Sequence, residues 1–256
     1  MRRWSVVGGL VGGLAVALVA WPAAWLAGYV SDWTQGRVQW VDVQGPWWRG
    51  SALLLLSAGQ GTQPSTLLPS RLHWQIGWAG KELLLHISHP CCTPEPLTLR
   101  VRPQWSRVAL TLDPITQPIQ WPLNWLQGLG APWNTLKLSG LLSVHSSGAQ
   151  AQLSARGVVW SGQVTLTAQG VNSPLARVPE LGAYRVQLRA KEAEPMQLNL
   201  ETLKGPLKLE GQGRIGPNGL KWRATAHAEP AQADSLQNLL NLIGSRQGAR
   251  SILSIG

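Results

Sequence analysis

From residue 184 onward the chain alternates apolar and polar side chains with a regularity that suits half-buried β-strand. Tyr184, Val186, Leu188 and Ala190 fall on one face, and Arg185, Gln187, Arg189 and Lys191 on the other. After a turn at Glu194-Pro195, Met196, Leu198 and Leu200 answer Gln197, Asn199 and Glu201, and Leu207 and Leu209 then answer Lys208 and Glu210. Beyond the Gly-Pro-Asn-Gly turn at 216–219, Leu220, Trp222, Ala224 and Ala226 oppose Lys221, Arg223, Thr225 and His227. Successive strand side chains point to opposite faces, so each run buries one face and wets the other. Upstream, 38–43, 52–56, 72–76 and 97–102 also read as strands, with a Gly45-Pro46 turn between the first two. Turn signals roughly every 8 to 12 residues predict an antiparallel sheet. The stretch 57–70, rich in Gly, Gln, Pro, Ser and Thr, reads as a loop.

Helix signals are few. Asp234 is placed to cap a short helix in which Leu236, Leu239, Leu240 and Ile243 share a face and which Gly244 ends. Residues 122–129 read as one or two helical turns opened by Pro122.

The N-terminus carries a different signal. Trp4 to Ser31 is 28 residues without Asp, Glu, Lys or Arg. About 20 apolar residues suffice to cross a ~30 Å hydrocarbon layer as helix. Arg2 and Arg3 precede the segment and Asp32 follows it, an asymmetry that keeps the N-terminus cytoplasmic. The expected organisation is a cytoplasmic stub at 1–3, a transmembrane anchor at 4–30 and an exported domain at 31–256. Trp21, Trp25 and Tyr29 recur every four residues at its far end, as an interfacial aromatic anchor does. Cleavage as a signal peptide is disfavoured: the segment's Ala-x-Ala, Ala15-Val16-Ala17, would leave the apolar run 18–30 on the mature chain. Gly8 and Gly12, and Gly9 and Gly13, form two G-x-x-x-G pairs. They fit self-association through helix packing equally with the ordinary abundance of Gly in membrane helices. The predicted fold is therefore mainly β: a single N-terminal transmembrane helix, then an antiparallel sheet or partly open barrel with one or two short helices.

The net charge of +10 suggests an acidic polymer as partner, but its distribution removes that reading. Arg2 and Arg3 orient the anchor, and the other basic residues fall singly on wet strand faces. No block of five like charges and no aromatic-basic signature occurs, so nucleic acid is set aside.

Chemistry leaves little trace. The chain has no G-x-S-x-G, no H-E-x-x-H and no phosphate loop, and Glu192 with Glu194 reads as a solvated turn pair. The reading is therefore not an enzyme, with no cofactor. His86, His89, Cys91 and Cys92 form the tightest cluster of soft ligands. His86 lies in an apolar strand, however, and an oxidising compartment favours disulfides over thiolate ligands, so the reading is no metal. Cys91 and Cys92 are left as a vicinal disulfide, an interchain pair or free thiols, since adjacent Cα atoms about 3.8 Å apart are closer than disulfides usually hold them. The fifteen tryptophans stand in a chain with no Phe, and core packing in Phe's place is expected for most, Trp74 and Trp222 above all. Trp47 and Trp48 cannot both face inward from one strand, so one is a candidate contact surface.

The order of parts resembles the type II secretion system protein N family. Its early G-x-L-W-x-G-x-A pattern is similar to Gly45-Pro46-Trp47-Trp48-Arg49-Gly50-Ser51-Ala52, with Trp47 where the pattern has Leu. Its L-x-W strand resembles Leu72-His73-Trp74, its mid-chain signature resembles 123–140 (LNWLQGLGAPWNTLKLSG), and its Leu-rich C-terminal segment resembles 239–244. The Cys91-Cys92 pair maps to no function of the family. The resemblance implies an accessory inner-membrane component of the machinery that exports folded proteins across the outer membrane. It would act through contacts with other secretion components, in the inner-membrane platform or the secretin, and it brings no catalytic residues. The alternative is an AsmA-like envelope protein that handles lipid in an apolar β groove.

Overall fold

The computed structural model describes residues 19–255 except 60, 62–64, 156, 192–193 and 217–218. α1 (Ala24–Trp33) precedes β1 (Val38–Gln44), β2 (Arg49–Ser57), β3 (Ser65–Leu67), β4 (Leu72–Ala79), β5 (Glu82–Ser88), β6 (Leu97–Gln104), β7 (Arg107–Leu112) and β8 (Ile115–Pro122). A 3₁₀ segment (Leu123–Leu129) and the single turn α2 (Trp133–Leu136) lead into β9 (Ser139–Ser154) and β10 (Gly157–Asn172). There follow β11 (Gly182–Ala190), β12 (Met196–Lys204), β13 (Leu207–Gly216), β14 (Gly219–Ala228), α3 (Ala233–Ile243), β15 (Ser245–Gln247) and β16 (Arg250–Ile255).

Among the described residues these strands form one sheet in the order β1-β2-β4-β5-β6-β7-β9-β10-β11-β12-β13-β14-β16-β15, every pair antiparallel. The path does not close on itself: β1 ends one side and the three-residue β15 the other. Two strands take two partners end to end along one edge. β2 pairs β4 through its first half and β3 through its second. β9 pairs β7 through 149–154 and β8 through 141–146.

Register makes one face of this sheet apolar. Trp78, Leu83, Val101, Leu110, Ala151 and Trp160 lie side by side on six successive strands. A second row runs through Ile76, Leu85, Leu99, Leu112, Ala149, Gly162 and Ala190. In the C-terminal half Val144, Leu166, Val186, Leu200, Gly211, Ala224 and Leu253 align in the same way. A one-residue slip in any strand would turn its apolar set to water, so this continuity holds the register. The outer face carries the charges, paired across strands as Arg100–Asp113 and Arg185–Glu201.

Three clusters cover part of the apolar face. Ala23, Ala52 and Trp74 are buried with Leu26, Trp40, Val43 and Leu85. Leu68, Cys92 and Trp125 sit beside Leu54 and Leu56. The largest joins Leu123, Val171, Leu181, Tyr184, Leu207 and Ala226 to Leu236, Leu239 and Leu240 of α3. Toward the hairpin tips the face is open: Trp78, Val158 and Trp160 are exposed, and Trp105 at a tip is fully so.

Several expectations are corrected. Among the described residues no helix is long and apolar enough to cross a membrane. Most of the anchor, with Gly8, Gly9, Gly12 and Gly13, lies outside those residues. Where the sequence predicts one helix through residue 30, the described part is interrupted: Pro22 forms a β-bridge with Pro46 and α1 starts only at Ala24. Pro22 has no N–H for the helical ladder, which favours a break there. The tryptophans do not mainly fill a core: Trp74 and Trp125 are buried, whereas Trp21, Trp25, Trp33, Trp78, Trp105, Trp121 and Trp160 are exposed. Trp222 is half-buried, lying across Gly211 and Gly213. Stretch 57–70 contains β3. Asp234 sits in the first turn of α3 without a capping bond, and the cap position is Gln232. Gly244 does end α3, but in extended conformation; a Cβ there would meet the Ile252 carbonyl at 2.6 Å, so the position is small because a strand passes close by.

Candidate functional site

The motifs that stand out in the sequence converge at the start of the sheet. The turn between β1 and β2 closes with Arg49 N–H donating to Pro46 O (3.1 Å), and the backbone of Trp47 and Trp48 bonds to other partners. Those partners are the incoming chain and β4. Trp47 N–H donates to Trp21 O (3.1 Å), Ala23 N–H to Gly45 O (3.0 Å), and the Trp48 indole N–H to Val19 O (3.0 Å). From β4, the Trp74 indole donates to Trp47 O (2.9 Å) and Ile76 N–H to Trp48 O (2.6 Å). Residues 19–23 are thus clasped by the turn and by the side of the sheet.

Packing completes the clasp. Trp74 is 5% exposed and stacks on Trp40 with centroids 4.8 Å apart. It lies over Gly50, where any Cβ would strike its ring and also stand 2.7 Å from Gln44 O. Ala52 and Ala23, both fully buried, let α1 approach the sheet. Neither Trp47 nor Trp48 is among the exposed residues; both are half-buried in this clasp, and Trp48 is tied to the N-terminal segment.

α1 leaves the clasp with Leu26 packed inward and an aromatic stripe outward. Trp25, Tyr29 and Trp33 recur at i, i+4 and i+8 and are 48%, 72% and 85% exposed. Trp25 and Tyr29 meet edge to face at 6.4 Å. Trp21, four residues earlier, is exposed too. The sequence pattern found Trp21, Trp25 and Tyr29 but not Trp33, and assigned them to the end of a spanning helix.

The mid-chain signature forms a second node. Trp125 of the 3₁₀ segment packs on Leu68 and Cys92, with the His89 ring 6.2 Å from its own. Cys91 and Cys92 are joined to each other, Cα atoms 3.7 Å apart, with Cys91 exposed and Cys92 buried. His89 Nδ1 lies 3.0 Å from Cys91 Sγ, and its Nε2 is buried without a hydrogen-bond partner. Burial pushes the His89 imidazole below its ordinary pKa, favouring the neutral ring. Ligand atoms of His89, Cys91 and Cys92 fall within 4.8 Å of one another, but sulfurs bonded to each other offer no thiolate to a metal. His86 stands apart, its Nδ1 3.0 Å from Thr98 Oγ1 on β6. The loop also covers the free edge of β8, since Gln120 N–H donates to Cys92 O (3.0 Å) and Gln117 to Glu95 (2.9 Å). Leu123 in turn ties the 3₁₀ segment to α3, so the Leu-rich C-terminal motif belongs to the same packing.

Each motif therefore builds a joint between parts of the sheet, and the first of them carries the exposed aromatic stripe of α1. No characterised protein and no solved structure matched the chain. The family model for type II secretion system (T2SS), protein N, matches residues 36–253, a span that holds the turn motif, the L-x-W strand, the mid-chain signature and the Leu-rich segment. The chain belongs to the type II secretion system protein N family.

Proposed function

We propose that the protein is an accessory component of the type II secretion machinery, a β-domain held at the inner membrane that acts by protein contacts during export of folded proteins. The family match over 36–253 carries this reading. In it the segment ahead of Pro22 supplies the membrane anchor, the N-terminus is cytoplasmic and the sheet is periplasmic. Two features suit a contact protein: β1 is a seven-residue open edge with Val41 exposed, and Trp78, Trp105 and Trp160 stand out from the hairpin ends. The Cys91–Cys92 disulfide then fixes the loop that seals β8. Deleting the gene tests the assignment. Secreted proteins should accumulate in the periplasm, and unchanged secretion would refute it.

The continuous apolar face favours one second reading, envelope lipid handling. Its rows run across six or seven strands and stay open toward the tips. That reading predicts phospholipid co-purifying with the full chain, together with normal secretion in the deletion strain.

A further inference from the structure

We infer that the outward stripe of α1, Trp25, Tyr29 and Trp33, rests on a phospholipid bilayer surface and holds the β1 edge of the sheet against it. The inference rests on the reading that the segment ahead of Pro22 enters a membrane, but it assigns α1 a different role from that segment.

α1 has ten residues, about 15 Å of helix, half of what a hydrocarbon layer requires. It is also not free to continue a spanning helix. The Pro22–Pro46 bridge and the bonds from Ala23 and Trp47 interrupt the ladder and fasten the chain to the sheet. Ala23 is fully buried and Leu26 packs beside Trp74, so the helix is docked on one side. Its opposite side carries the stripe, about 12 Å from Trp25 to Trp33.

The chemistry of the stripe selects the occupant. Trp and Tyr combine an apolar ring with one polar N–H or O–H, the combination enriched where hydrocarbon meets water. Trp25 and Tyr29 close an uncharged run that begins at Trp4, so the chain that leads into α1 is itself suited to lipid. Asp32 is the single charged group of α1, exposed on the stripe's side near its C-terminal end. It gives anionic headgroups no attraction, so the contact is apolar and insensitive to salt.

The test uses the full chain in vesicles containing brominated phosphatidylcholine. A fluorophore is placed at Gly28→Cys, where an added Cβ meets nothing within 4 Å, or at Gln197→Cys on distant β12, both in a C91S/C92S background. Quenching should be strong at 28, weak at 197 and unchanged by salt. In W25S/Y29S/W33S, quenching at 28 should fall to the level at 197, while W25Y/Y29W/W33Y should keep it. If 28 stays unquenched while the chain resists carbonate extraction, the anchor stands and the stripe proposal is overturned, leaving a protein as its occupant. If carbonate extracts the chain but 28 is quenched at neutral pH, the stripe is supported and the spanning anchor fails. Extraction without quenching overturns both.

Discussion

At the scale of single residues, the strongest constraints are steric and belong to the clasp. Gly50 lies under the Trp74 ring, so Gly50→Ala must displace either the indole or β2. A loss of about 1–3 kcal/mol is expected, the usual cost of overpacking, read from denaturant midpoints of the full chain in detergent. Tyr184 is the clearest titrating residue. Its hydroxyl lies 2.9 Å from Leu181 O and 3.0 Å from Leu207 O, and burial pushes its pKa up. An acid with a raised folded pKa contributes stability that is complete below the unfolded value, about 10, and is lost as pH climbs beyond it. Stability should therefore fall with rising pH above that point, and Tyr184→Phe should flatten the slope in midpoints measured across the alkaline range. Tyr184 was readable from alternation as an inward residue. Its two carbonyl partners were not, because Leu181 lies in the irregular stretch before β11 and Leu207 opens β13, two strands away in the sheet.

At the scale of elements, legibility followed periodicity. The strands β11 to β14 keep one parity throughout, and the sequence located each of them. β9, sixteen residues long, went unrecognised because its inward set changes parity at a bulge: 149, 151 and 153 face inward beyond it, and 142, 144 and 146 before it. The extra residue lies on β9 between Ser146 and Ala149, where Gly148 has a φ of +108° that few side chains adopt. α1 was misjudged for another reason. Apolarity was read correctly, but the Pro22–Pro46 bridge that separates this helix from the preceding segment depends on a turn 24 residues later. The clasp predicts a local effect. Trp48→Ala removes the indole bond to Val19 and should speed hydrogen exchange at the amides of Ala23 and Trp47. Amides of β11 to β14, remote from it, should keep their protection.

At the scale of the molecule, one open sheet replaces the usual two-layer core. Its apolar face is covered by α3 at one part, by the 3₁₀ segment at another and by α1 at a third, and is otherwise left to solvent or a partner. α3 is the largest of these covers: Leu236, Leu239 and Leu240 are each at most 2% exposed. Leu239→Ala should cost about 2–5 kcal/mol, visible as a lower urea midpoint, with β14 and β16 losing exchange protection first because they lie beneath it. By itself the sequence determined the strand class, the antiparallel arrangement, the outward placement of charge and the family. These follow from local alternation, turn residues and short motifs that each sit within a few neighbouring positions. Only the tertiary structure decided that the sheet stays open, that few of the described tryptophans are buried, and that Trp47 and Trp48 clasp the N-terminal segment. Those outcomes depend on which strands become neighbours and on what covers an apolar face, and both are set by contacts between residues far apart in the chain.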